Sequence, residues 1–198
     1  LMNLKKRFEN KNLDESYFDK KVNQANEQLS FLSKTIDDFK EFYTISKEKE
    51  IFSVKDAILN ATTILSADLK SHNIDLETSF ETFDEVKIFG VKSELSQILI
   101  AIISNSIDVL KNIKNPEIQI DIFSSSAEVI IKLADNGGGI KAKNLKKIFE
   151  PYFSTKEEGT GIGLYLAKMI IEESFGGKIL VENKKEGVLF SLFIEKAL

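Results

Sequence analysis

Six of the ten glycines in this 198-residue chain lie between Gly137 and Gly163, in the clusters Asp135-Asn136-Gly137-Gly138-Gly139-Ile140 and Gly159-Thr160-Gly161-Ile162-Gly163-Leu164. An ordered glycine costs backbone entropy, so folded domains concentrate it where the main chain takes positive φ or must come close to a bound group. The chain must therefore fold as a scaffold that holds two permissive loops, and the rest of the sequence can be read as that scaffold.

The longest regular pattern precedes them. Phe18, Val22, Ala25, Leu29, Leu32, Ile36, Phe39 and Tyr43 recur at alternating spacings of four and three, a heptad seam. Asn12 followed by Glu15 reads as a capping-box-like start, predicting one long helix from about Leu13 to Lys47. Alone it would expose a stripe of large apolar residues, each worth ~1.5–3 kcal/mol when fully buried. The expectation is a helical bundle shared between two copies of the chain; packing on its own globular part is the alternative.

Lys47-Glu48-Lys49-Glu50 marks a charged hinge. Beyond it, Val54 to Ser71 reads as a helix, Ile74 to Phe80 and Val86 to Phe89 as strands, and Ser93 to Ile113 as a strongly apolar helix ended by Asn115-Pro116. Ile118 to Phe123 and Val129 to Ala134 form a hairpin. Ile162 to Phe175 is helical and stopped by Gly176-Gly177, and Ile179 to Glu182 and Val188 to Ile194 are two further strands. The fold class expected is α+β, a two-layer α/β sandwich with a mixed sheet, preceded by the long helix. Two units are expected: residues 1–48 as a partial helical hairpin and 51–198 as the globular domain.

Composition removes several functions. A net charge of −4 disfavours general nucleic-acid binding, and the absence of cysteine excludes disulfides, thiolate metal sites and thiol nucleophiles. A single histidine excludes His-rich metal centres. The longest strongly apolar run, Ile98 to Ile103, is short for a bilayer span, and no signal-peptide pattern is evident, so no membrane contact within this chain and a cytoplasmic location are expected. The opening Leu1-Met2 falls in mid-pattern and reads as part of a longer protein.

Four segments carry chemistry. In Ile98 to Asp108, two nearly all-apolar helical turns are followed by Asn105 and Asp108, one turn apart on one face; a carboxamide there is either satisfied internally or offered to a ligand such as hydrated Mg²⁺. Asp135, at the end of a buried strand and before three glycines, is placed to accept from an exocyclic amine such as that of adenine, or to form an ordinary Asp-Asn-Gly turn. Gly159 to Leu164 opens a helix whose N–H groups can reach phosphates, or is simply a flexible loop. It is no P-loop, since no Lys-Ser or Lys-Thr closes it, and Leu166 stands where a dinucleotide fingerprint needs a third glycine. Between the clusters, Ile148-Phe149-Glu150-Pro151-Tyr152-Phe153-Ser154-Thr155-Lys156 reads as a lid with Lys156 near phosphates, or as a core loop.

In order and spacing these segments resemble the N, G1, F and G2 boxes of the catalytic ATP-binding domain of sensor histidine kinases, within the gyrase, chaperone, histidine kinase and mismatch-repair superfamily; the match spans about Phe52 to Ile194. The resemblance implies a Bergerat-type ATP-binding fold. It implies that Asn105 ligates Mg²⁺, that Asp135 recognises adenine with Gly137 and Gly139 shaping the pocket, and that Gly159, Gly161 and Gly163 hold the lid and phosphates. The cofactor-binding set is then Asn105, Asp108, Asp135, Gly137, Gly139, Ile140, Lys156, Gly159, Thr160, Gly161, Gly163 and Leu164, with ATP and Mg²⁺ as ligands and no catalytic residue assigned. The heptad helix resembles the second helix of the dimerisation and phosphoacceptor hairpin, implying a homodimer and a response-regulator receiver domain as partners.

Hydrolytic members of that superfamily place a glutamate one turn before the asparagine, and many kinases an asparagine; here the position is Ala101. The lone His72, in Lys70-Ser71-His72-Asn73, has no acid after it and does not read as the phosphoacceptor, so the acceptor is expected upstream, with Leu1 to Asn10 as the tail and turn of its helix. The function implied is transfer of the ATP γ-phosphate to a histidine outside this chain. A degenerate ATP-binding scaffold and a serine-directed kinase of the same superfamily are the alternatives.

Overall fold

The computed structural model describes residues 14–43, 48–80, 86–156 and 159–196. Helix α1 spans Glu15–Tyr43. Its first turn is capped by Asp14, whose Oδ1 accepts the Tyr17 amide at 2.7 Å. The expected cap at Asn12, the helix limits at Leu13 and Lys47 and the Leu1 to Asn10 tail lie outside the described residues, as do the side chains of Leu32, Phe39 and Tyr43. Of the remaining seam, Phe18, Val22, Ala25, Leu29 and Ile36 are exposed, Leu29 by 64%.

After α1 come β1 (Glu50–Ser53), α2 (Val54–Ile64), α3 (Ser66–Ser71), β2 (Asp75–Phe80), β3 (Lys87–Gly90), α4 (Lys92–Leu110), β4 (Glu117–Ser124), β5 (Glu128–Asp135), α5 (Gly163–Glu173), β6 (Lys178–Asn183) and β7 (Val188–Glu195). Five strands form one sheet in the order β2-β4-β5-β7-β6. β2 runs parallel to β4 and the other pairs are antiparallel, so the sheet is mixed. One face is buried: Ile118, Ile120 and Ile122 of β4 and Val129, Ile131 and Leu133 of β5 alternate with less buried neighbours, the period-two pattern of a half-covered sheet.

Helix α4 fills the second layer. Leu95, Ile98, Leu99, Ile102, Ile103 and Leu110 have no exposed surface, each contributing ~1.5–3 kcal/mol by area transfer. Its length and composition also satisfy those of a membrane span, but 56% of that stretch is buried inside the fold. Ser96 ties α4 to α2 by donating its hydroxyl to the Ala57 carbonyl at 3.2 Å.

Three local features depart from the sequence expectations. The single helix over Val54 to Ser71 breaks at Leu65; just before the break, the Thr62 hydroxyl bonds back to the Ile58 carbonyl at 3.0 Å, a contact that bends helices. Glu50, read as hinge, opens β1, which pairs with β3 in a separate two-stranded sheet with Ile51 opposite Phe89. The apolar helix ends at Leu110 instead of Ile113, and Asn115 takes a φ of 53° before Pro116.

Candidate functional site

Three segments converge on the C-terminal half of α4. The first is the end of β5. Asp135 is half-buried, and both its carboxylate oxygens are held: Oδ2 accepts from the Ser106 hydroxyl of α4 and Oδ1 from the Gly137 amide, each at 2.9 Å. A carboxylate has about four acceptor positions, so it can still receive an amine from a ligand. A Cβ on Gly137 would stand 2.5 Å from Val109 Cγ2 and 3.1 Å from Asp135 Oδ1; the chain can hug α4 here only because the residue is glycine.

The loop after Asp135 is fastened at several points. Asn136 accepts from the Glu117 amide at 3.0 Å and donates to the Asn115 carbonyl at 2.8 Å. The Gly138 amide donates to the Glu186 carbonyl at 2.9 Å, and Gly139 takes φ +86°. Asn183 at the end of β6 clamps Ile140, accepting its amide at 2.8 Å and donating to its carbonyl at 2.7 Å. Ile140 and, farther along the chain, Leu164 are half-buried and pack on the core.

The second segment is α4 itself, on the face adjacent to Ser106. Asn105 donates its Nδ2 to the Ala101 carbonyl at 2.8 Å, which fixes the amide and aims Oδ1 outward. Lys156 Nζ donates to Asn105 Oδ1 at 2.7 Å and to Asp108 Oδ2 at 2.6 Å. Asp108 Oδ1 accepts from Lys111 Nζ at 2.7 Å. Burial raises the Asp108 carboxyl pKa, but the hydrogen bonds and charges of Lys111 and Lys156 outweigh it and hold the group below its ordinary value. Two oxygens from one helix face thus meet on one cationic group, a donor set that also suits a hydrated Mg²⁺.

The third segment carries Lys156. Its aromatic stretch is largely anchored: Ile148 is 8% exposed, Phe149 meets Phe190 edge-on with centroids 6.5 Å apart, and Phe153 packs on the core. Tyr152 is 62% exposed and takes φ +65°, an unfavourable conformation for a bulky residue. Phe149 and Phe153 thus rest on the core, the placement that the core-loop alternative expects of this stretch. Gly161 closes it: at φ +67° its backbone lies so close to the chain that a Cβ would stand 2.5 Å from the Tyr152 carbonyl carbon, while its carbonyl accepts the Tyr152 amide at 3.1 Å. Gly159 packs against Ser154, Thr160 is 7% exposed, and Gly163 begins α5 facing Ala101.

All twelve candidate residues lie on these three segments. Ser106, Asn136 and Asn183 emerge as further members. His72 caps α3, with Nδ1 2.8 Å from the Asp68 carbonyl.

Residues 90–198, more than half the chain, match the family described as histidine kinase-, DNA gyrase B-, and HSP90-like ATPase. Sporulation kinase C of Bacillus subtilis (strain 168) is 29% identical over 141 residues, 71% of this chain and 32% of that protein. The chain spans a third or less of the length of such curated relatives. Among solved structures, the catalytic domain of histidine kinase ThkA is 29% identical with a TM-score of 0.69, covering 75% of this chain and 96% of that one. ThkA in complex with the response regulator protein TrrA is 23% identical with a TM-score of 0.68, covering 99% of this chain and 55% of that one, a likeness of fold.

Proposed function

The chain belongs to the histidine kinase-, DNA gyrase B- and HSP90-like ATPase family, and from that premise we propose that it is the ATP-binding catalytic portion of a sensor histidine kinase, transferring the ATP γ-phosphate to a histidine outside this chain for relay to a response-regulator aspartate. The observation that carries the reading is the pair of groups α4 serves: a carboxylate fixed by Ser106 and, on the adjacent face of the helix, the Asn105 and Asp108 oxygens meeting on one ammonium. Asp135 accepts the adenine amine, with Gly137, Gly139 and Ile140 shaping its surroundings. Asn105, with Asp108 beside it, holds Mg²⁺, which when bound offsets charge on the phosphate oxygens. Lys156 and the backbone of Gly159, Thr160, Gly161, Gly163 and Leu164 face the phosphates.

Residues 1–48 form part of a dimerisation hairpin, two copies joining through the Phe18 to Tyr43 stripe, and residues 51–198 bind nucleotide. The partner is a response-regulator receiver domain, a reading supported by the complex of ThkA with the response regulator protein TrrA, and the setting is the cytoplasm. With Ala101 at the position one turn before Asn105, no carboxylate is available there to activate water, which favours transfer over hydrolysis. The same residue supports a scaffold reading in which ATP is bound without transfer. Placing an acceptor hairpin upstream separates the two, since a scaffold stays unlabelled, and an acid-stable label would instead indicate phosphoserine.

Calorimetric titration with ADP, with and without Mg²⁺, tests the site. Wild type binds more tightly with Mg²⁺, and Asp135→Asn loses at least tenfold in affinity, on the scale of ~1–3 kcal/mol for a buried polar group left unpaired. A wild type that binds no adenine nucleotide removes the proposal.

A further inference from the structure

We propose that Lys156 is a built-in competitor of the divalent cation: its ammonium latches the stretch Ser154 to Lys156 onto α4, and the metal enters by displacing it. The inference rests on the nucleotide-site reading above and adds an exchange step to it.

The geometry is specific. Lys156 Nζ stands 2.7 Å from Asn105 Oδ1 and 2.6 Å from Asp108 Oδ2, charge-assisted lengths. Mg²⁺ requires near-octahedral oxygen donors at roughly 2.0–2.1 Å. Asn105 Oδ1 has a second lone pair, but an ammonium and a divalent cation bound to the same oxygen stand as like charges a few ångströms apart and repel, so they compete for it.

The lysine is also presented. Ser154 Oγ accepts the Lys156 amide at 3.0 Å and donates to its carbonyl at 3.3 Å, and the Gly159 amide donates to the same carbonyl at 3.4 Å. Lys156 therefore extends from a formed turn, and moving its side chain away from α4 loosens the contact that ties this turn to the helix. The Lys156 and Asp108 side chains are 39% and 34% exposed; ion pairs so open to water are weak enough to exchange. Lys111, 2.7 Å from Asp108 Oδ1, keeps that carboxylate partnered after Lys156 leaves, so release does not strand a charge.

The test uses the full 198-residue chain without nucleotide and Mn²⁺ as the probe, monitored by electron paramagnetic resonance, together with amide hydrogen exchange across residues 150–163. Lys156→Met, which keeps the apolar stem and removes the charge, should bind Mn²⁺ at least fivefold more tightly than wild type, and adding Asn105→Ala should abolish the gain. Segment amides should exchange faster in Lys156→Met, and in wild type Mn²⁺ should speed them. Asp108→Asn, which weakens the latch from the helix side, should speed exchange without tightening Mn²⁺. Unchanged or weaker Mn²⁺ binding in Lys156→Met, a gain that survives Asn105→Ala, or segment exchange indifferent to all three changes overturns the latch. If the latch outcomes appear but wild type binds no ADP, the nucleotide reading fails alone; if ADP binds with Mg²⁺ and Lys156→Met changes nothing, the latch fails alone.

Discussion

Asp135 enters any encounter already oriented, because Ser106 and Gly137 occupy one lone-pair direction on each of its oxygens. Ser106 is thus a positioning residue. Ser106→Ala should retain the fold, cost about 1 kcal/mol in stability, and weaken ADP binding three- to tenfold in calorimetry, with no effect on Mn²⁺ binding at Asn105. Gly161→Ala belongs to the same scale: φ +67° and a Cβ 2.5 Å from the Tyr152 backbone should cost ~1–3 kcal/mol of local strain, read as reduced ADP affinity and a lowered urea midpoint. Asp135, Asn105 and Lys156 can be singled out in the sequence because each breaks a local pattern: a charge ending an apolar strand, an amide after two apolar helical turns, a lysine closing an aromatic stretch just before the second glycine cluster. Ser106 is not, since one serine in a helix carries no sign of what lies 29 residues away. Asn183 is hidden for the same reason, its partner Ile140 being 43 residues distant. Its two bonds to the Ile140 backbone make Asn183→Ala a loop-loosening change, expected to cost ~1–3 kcal/mol and to raise amide exchange at Ile140 most.

Among the elements, the strongly periodic ones match their expected limits to within a few residues, because α4 and the β4, β5 and β7 strands are set by burial that repeats every turn or every second residue. The elements that escaped had no period to read. β1 is four residues long and exists by pairing with β3, and the α2–α3 break depends on a threonine hydroxyl turning to its own helix. The aromatic stretch before the second glycine cluster suggests a lid or a core loop, and Phe149 and Phe153 pack against the core, contacts distant in sequence that no local pattern announces. Since α4 is central to both core and site, Leu99→Ala, at a position with no exposed surface, should cost ~2–5 kcal/mol and lower the thermal midpoint; ADP affinity of the folded fraction should change far less than in Ser106→Ala.

For the molecule as a whole, the exposed stripe of α1 sets the expected assembly. Phe18, Val22, Leu29 and Ile36 lie on the seam and are open to water, so the full chain should sediment as a concentration-dependent dimer, and Val22→Glu with Leu29→Glu should leave a monomer with unchanged ADP affinity. A stripe that gives no self-association at any accessible concentration would send α1 to another partner. A second feature reaches further. Asn105 and Ser106 are consecutive on one helix, and they hold different groups, one the Lys156 ammonium and the other the Asp135 carboxylate. Any coupling that the helix carries between the two groups must be reciprocal: a shift that adenosine, which has no phosphates, produces in the apparent Mn²⁺ affinity must be returned by Mn²⁺ in the affinity for adenosine by the same factor, and a change in neither means that the two groups act independently.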